Sequence, residues 1–412
     1  MSRVVTNTFW LYVAQIGGLI IPLIELPFLA RSLGQENYGL VLYSLGIALT
    51  ASVFVEFGFI FSAARSAVDA RHDRARLAQL VADVLLAKVI LSAVVMCLIA
   101  VYALSGAGAT RIPPEWLIWI ALAIFGFGFS PIWYYIAIER LILPALLDVG
   151  LRSVGLILVI MLVRSPGHAE RVLMIHALVG AANTLIPTAL MFRQTGFGRV
   201  RVSGALLALQ QSMEIFLYKG AQNILGSLAS TILGALGGAR AVGAFVPAEK
   251  LIRATSGLAG PLFNVIFPHA VSLRNEPSAA RSLTMSVMVL MSIGCVVFAI
   301  ITMVLAEWIV KLVFGPGYEE AVILLKILVW VLPLRIASTA LAMLWFIPLG
   351  RESIASRAMV FNIFTVIILA AILVPPLGGY GMTLAFLVSE SVMLAVLLTA
   401  FLRKPRNQEA RS

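Results

Sequence analysis

Residues 79–104 read QLVADVLLAKVILSAVVMCLIAVYAL, an apolar run interrupted by only two charges, Asp83 and Lys88. A membrane-spanning helix needs about 20 apolar residues to cross a hydrocarbon core of about 30 Å. At about 1.5 Å per residue this run is long enough. The pattern repeats in both directions along the chain. Apolar runs at 9–30, 40–62, 79–104, 115–137, 142–163, 172–192, 206–236, 243–270, 282–305, 321–348, 355–375 and 380–402 are separated by short polar breaks. A membrane β-barrel would show short alternating segments instead. The expected fold is an all-α membrane protein of about twelve transmembrane helices. Twelve spans use about 240 residues, so the 412-residue chain has no room for a large extramembrane domain.

Composition agrees. The chain is 61% hydrophobic and 12% charged, against about 45–50% and about 25% in soluble domains. A soluble enzyme, a disordered chain and a disulfide scaffold are excluded. Cys97 and Cys295 both fall in apolar runs and read as small hydrophobes. His72, His168, His176 and His269 form no metal-binding spacing, so no metal and no cofactor is expected. The first apolar run follows only Arg3 and carries no small-residue cleavage site, so it reads as a span and not as a signal peptide.

The net charge of +11 would suggest nucleic acid in a soluble protein. Position decides against that. With the N-terminus in the cytoplasm, 17 basic residues fall on the inner side, among them Arg65, Arg71, Arg74, Arg76, Arg193, Arg199 and Arg201, and 6 on the outer side. This is the positive-inside bias. It places both termini in the cytoplasm and predicts an even number of spans, with lipid and not nucleic acid as the surrounding partner.

A faint internal repeat divides the chain. Phe9 to Gln15 opens the first span as Phe216 to Gln222 opens the seventh, and Leu33-Gly34 then Gly39 matches Leu236-Gly237 then Gly243. Two parallel repeats related about the membrane normal predict two six-helix lobes, 1–200 and 201–412, around a central cavity.

Fourteen charged residues fall inside the spans: Lys88, Arg152, Lys219, Lys250, Arg253, Lys326 and Arg335, with Glu25, Glu56, Asp83, Asp148, Glu214, Glu249 and Glu390. Each costs about 2.5–3.5 kcal/mol at a helix centre on insertion scales. They must therefore pair, snorkel or line a wet cavity. The charges inside the first six spans sum to −2 and those inside the last six to +2. Lys250 and Arg253 share a helix face, Arg335 follows Pro333, and Lys219 lies mid-span. Converging cations suit a phosphate, with arginine offering a bidentate fork. Structural pairs offer a second reading, Glu249 with Arg253, Glu214 with Lys219, and Asp148 with Arg152. Glu56 has no basic residue at helical spacing; it either exchanges a proton or sodium ion or faces a wet vestibule. The aromatic run Trp133-Tyr134-Tyr135 reads as an interfacial belt or as a surface that stacks on sugar or lipid.

Several stretches resemble a known family. Pro22 through Pro27-Phe-Leu-Ala-Arg31-Ser-Leu-Gly34-Gln-Glu-Asn-Tyr38-Gly39 is one, and Glu56-Phe-Gly58-Phe with Ser62-Ala-Ala-Arg65 is another. Pro131-Ile-Trp133-Tyr-Tyr-Ile-Ala-Ile-Glu139-Arg140, Val242-Gly243-Ala-Phe-Val-Pro-Ala-Glu249-Lys250, Pro261 with Phe267-Pro268, and Phe314-Gly315-Pro-Gly-Tyr318-Glu-Glu-Ala321 complete the set. In this order they resemble the bacterial O-antigen and exopolysaccharide repeat-unit flippases of the multidrug/oligosaccharidyl-lipid/polysaccharide exporter superfamily. The resemblance implies a non-enzymatic transporter in the bacterial cytoplasmic membrane. Its substrate would be an undecaprenyl-pyrophosphate-linked oligosaccharide, and a polysaccharide polymerase and chain-length regulator would be its partners. On this reading Lys219, Lys250, Arg253, Arg335, Lys88 and Arg152 hold the pyrophosphate. Glu56 and Asp148 couple transport to H+ or Na+. A cation-coupled multidrug exporter of the same superfamily is the alternative, and a membrane polymerase or ligase a weaker one, because the outer loops are short.

Overall fold

The computed structural model describes residues 2–216 and 221–403, with side chains from residue 17 onward except at 19, 214 and 221–226. Among the described residues it is all-α, with no strand. Nine stretches among them are long and apolar enough to cross a membrane.

The difference from twelve lies in how helices break. Helix α1 (Ser2–Glu56) runs through two expected spans, and the helix is interrupted only at Gly34, with φ 73° and ψ 169°. Glycine reaches that geometry without the steric cost of a Cβ. Phe57 and Gly58, at φ 47° and 77°, then separate α1 from α2 (Phe59–Ala70). Helix α3 (Arg74–Ser105) is the run quoted above, capped by Asp73 accepting from the Arg76 amide. The fourth expected span is broken into α4 (Leu117–Gly128) and the short α5 (Ile132–Ala137). Helices α6 (Ile142–Leu162) and α7 (Ala169–Thr195) follow expectation. The seventh and eighth spans are divided among α8 (Val202–Ile215), α9 (Ala221–Gly237), α10 (Ala239–Gly257) and α11 (Gly260–Ser272). After α12 (Pro277–Val313), the tenth span is α13 (Glu319–Leu328) and α14 (Val331–Leu341), which ends in a π-helical turn over Ala342–Phe346. Pro333 therefore sits in the first turn of α14, where its missing N–H costs no hydrogen bond, and the break precedes it. Helices α15 (Glu352–Leu377) and α16 (Gly379–Leu402) close the chain.

The chain forms two compact units, Met1–Gly243 and Ala244–Ser412. In the first, α9 is tied to α1 and to the loop after α3. Thr110 donates to the Gly234 carbonyl at 2.6 Å, Ala109 N–H to Ala235 at 2.8 Å, and Thr50 and Thr231 hydroxyls meet at 3.1 Å. Glycines let backbones approach, as in many membrane helix pairs. A Cβ on Gly39 would strike the Ala239 carbonyl oxygen, and one on Gly243 would strike that of Gln35. Each glycine of this matched pair thus packs four residues before the other, and Gln35 donates to the Arg240 carbonyl at 3.0 Å beside them.

Trp133, Tyr134 and Tyr135 do not form an interfacial belt. All three are buried, in a core with Phe59, Leu77, Val81 and Val84. Tyr134 donates to Gln194 at 2.8 Å and Tyr135 to the Pro187 carbonyl at 2.7 Å. Burial satisfies each hydroxyl inside the protein, which a belt would leave to water. In the second unit, α12 leaves Leu290, Val297, Ile301, Val304 and Trp308 exposed along one face. Helical spacing makes this an apolar stripe of the kind lipid covers.

Candidate functional site

In the first unit a cavity of about 330 Å³ opens among α4, α5, α6 and α7, lined by Gly126, Ser130, Tyr135, Asp148, Arg152 and Asn183 among others. Three facts of sequence build it. Gly126 packs against Gly180, where a Cβ would overlap backbone. Pro187 interrupts the α7 hydrogen-bond ladder, and its own carbonyl accepts the Tyr135 hydroxyl. Asp148 and Arg152 are one turn apart on α6. Asp148 Oδ1 accepts Arg152 Nε at 2.8 Å and Asn183 Nδ2 at 2.9 Å. A carboxylate held by one cation and one amide, facing a cavity, has the oxygen donors that suit a proton or a hard cation.

Glu56 does not line that cavity. It caps the next helix: its carboxylate accepts the Gly58 amide at 3.0 Å and the Ile60 amide at 2.6 Å. The left-handed Phe57 and Gly58 turn those amides toward it, which gives the Glu56-Phe-Gly58-Phe motif a physical reason. Lys88, from α3, is 1% exposed. Its Nζ donates to the carbonyl oxygens of Gly128 at 2.9 Å and Ser130 at 3.3 Å, at the open end of α4, and lies 5.9 Å from the Phe59 ring centre. A helix end leaves carbonyls without partners and carries partial negative charge, and the ammonium answers both. Phe59, whose ring lies beside Lys88, begins the helix that Glu56 caps. Glu56 and Lys88 thus sit at neighbouring helix ends, although nothing in their spacing links them.

In the second unit, Arg253 forks onto Glu249, Nη2 lying 2.7 Å from both carboxylate oxygens and Nε 2.9 Å from Oε1. Arg335 reaches from α14 to Glu390 on α16, with Nε and Nη2 each 2.9 Å from Oε1. In both pairs the carboxylate is nearly buried, at 7% and 5% exposure, and the guanidinium less so, at 46% and 23%. Phe245 and Phe386 meet with ring centres 5.7 Å apart. Glu249 lies one turn beyond the first ring and Glu390 one turn beyond the second, so the two pairs belong to one neighbourhood of α10 and α16. Lys250 adjoins Glu249 and is half-buried. Lys219 lies outside the described residues.

Like Arg335 with Glu390, a further pair has no signature in the sequence. His176 Nε2 and Glu25 Oε1 are 2.9 Å apart, joining α7 to α1 across 151 positions. Only the presence of Glu25 in an apolar run hinted that it needed a partner. Lys326 reaches Glu307 at 3.2 Å.

These features define a multi-pass α-helical membrane protein that keeps charge inside its spans as defined pairs. Residues 4–274 match the family described as polysaccharide biosynthesis protein, and the chain belongs to that family. It is similar to a protein of Escherichia coli K12 named "Putative O-antigen transporter", 26% identical over 332 residues and 78% of each chain. A Shigella dysenteriae protein of the same name is 22% identical over 96% of this chain and 99% of its own. Two solved structures share the fold. One is the lipid II flippase MurJ in an inward closed conformation, with TM-score 0.73, 12% identity, and 96% and 87% of the two chains covered. The other is an inward-facing multidrug resistance MATE family transporter of the MOP superfamily, with TM-score 0.58, 13% identity, and 93% and 98% covered.

Proposed function

We propose that this protein flips undecaprenyl-pyrophosphate-linked oligosaccharide repeat units across the bacterial cytoplasmic membrane by alternating access. Family membership supports the polymer class, and the relatives' names support transport over synthesis. The observation that carries the chemistry is the pair of arginine–glutamate forks of the second unit, in which each carboxylate is buried and each guanidinium more open. A guanidinium accepts a phosphate in the same bidentate geometry as a carboxylate. A pyrophosphate that takes over Arg253 and Arg335 releases Glu249 and Glu390, so binding and charge rearrangement are one event. Lys250, on the span of Arg253, and Lys219, on the preceding span of the sequence, add positive charge. Arg152 and Lys88, in the first unit, are weaker candidates, and Lys88 is already buried against two carbonyls. Asp148, with Asn183 beside it, is the place for a coupling H+ or Na+, and Glu56 is a second, at a helix end. The prenyl tail stays in lipid while the glycan crosses, and the inner-side excess of arginine supports cytoplasmic placement of both termini.

The test is complementation of a strain lacking the gene. Arg253→Gln and Arg335→Gln are expected to abolish surface polysaccharide while immunoblots find each protein in the membrane fraction. Normal polymer in both variants would overturn the assignment.

A further inference from the structure

A second cavity, of about 310 Å³, lies in the first unit among α2, α3 and α8. Its floor is apolar, from Phe59, Leu80, Val84 and Ala208, and its remaining wall carries Arg65, Ser62, Ser66, Gln211 and Ser212. Ser62 and Ser212 hydroxyls meet at 2.6 Å, which ties α2 to α8 across the cavity. The side chains of Arg65, Ser66 and Gln211 make no hydrogen bond or ion pair with any described residue. Asp69, one turn from Arg65, forms no salt bridge with it. An arginine, a serine and an amide thus share one concave wall with their donors uncommitted.

The setting reinforces the chemistry. The same end of the unit exposes Arg71, Arg74, Arg76, Arg193, Arg199 and Arg201. The segment leading into α8 is held there, with Gln79 Nε2 donating to the Arg199 carbonyl at 2.8 Å and Gln79 Oε1 accepting the Arg199 amide at 3.1 Å. Positive potential of this kind concentrates anions. A cavity with a donor-rich wall and an apolar floor fits an amphiphile with an anionic head.

We infer that the α2–α3–α8 cavity is a binding site for a phosphate or pyrophosphate group, with Arg65 as its charged ligand and Ser66 and Gln211 as neutral donors. Lipid can supply that group as a bilayer phospholipid head or as a pyrophosphate-linked carrier. The site is built wholly from residues of the first unit, and the inference does not depend on what the Arg253 and Arg335 pairs bind.

A local reporter tests it. Ser66→Cys, in a chain with Cys97→Ala and Cys295→Ala, is placed in phosphatidylcholine nanodiscs and its labelling by a soluble maleimide is timed. Inorganic pyrophosphate is expected to slow labelling at least fivefold. Adding Arg65→Gln should remove that protection, Arg65→Lys should retain part of it, and Arg335→Gln should leave it intact. Nanodiscs of phosphatidylglycerol, with no added anion, decide the source: protection there points to a phospholipid head, and protection by pyrophosphate alone points to a pyrophosphate-bearing carrier. Circular dichroism and gel filtration confirm that each variant is folded. Labelling unchanged by both anions, or protection that survives Arg65→Gln, would overturn the inference. Neither result bears on polymer export by the Arg253 and Arg335 variants.

Discussion

Lys88 is the residue whose environment says most about how charge survives inside these helices. Its ammonium is buried against two carbonyl oxygens that α4 leaves open at its end. A buried polar group without a partner costs about 1–3 kcal/mol, and here two acceptors depend on one donor. Lys88→Met keeps the volume and removes the donor. It is expected to lower stability by about 1–3 kcal/mol, read as a shift in the thermal unfolding midpoint of the detergent-solubilised protein. An unchanged midpoint would mean that the α4 end is satisfied some other way. At this scale the sequence was legible where partners are one turn apart. Asp148 with Arg152 and Glu249 with Arg253 follow from i,i+4 spacing, and both pairs are present. Arg335 with Glu390, Glu25 with His176, and Lys88 with its carbonyls were not legible, because a single sequence carries no signal for contacts between separate helices.

At the scale of the element, the spans were found by apolar length, and their interruptions were not. Gly34, the Phe57–Gly58 turn and the break before α14 arise from backbone conformation within apolar runs, where composition barely changes. The paired glycines were visible as a repeat, but their contact was not. Gly39 and Gly243 each face a carbonyl of the other's helix, so a methyl at either position must push the crossing apart. Forced overpacking costs about 1–3 kcal/mol. Gly39→Ala and Gly243→Ala are each expected to lower the unfolding midpoint, and the double variant to lose less than the sum, since both act on one crossing. Strict additivity, measured in the same thermal assay, would show that the two positions are independent.

At the scale of the whole molecule, the halves read from the repeat and the units read from packing answer different questions. The repeat places a boundary at about residue 200. Packing places one after Gly243, because Thr110, Thr231 and Gly234 tie α9 to the first helices of the chain. The fourteen charges inside apolar runs were the sequence's clearest statement about function, and the structure converts many of them into specific pairs. The central claim is that the pairs of the second unit serve the substrate and not only the fold. Replacing a buried ion pair by apolar residues of similar size is often neutral or stabilising, so such a double variant separates the two roles. Arg335→Met with Glu390→Met, reconstituted in proteoliposomes, is measured for translocation of undecaprenyl-pyrophosphate-linked oligosaccharide. A folded, inserted protein with translocation at background is the expected result, and wild-type translocation by that variant would contradict the account.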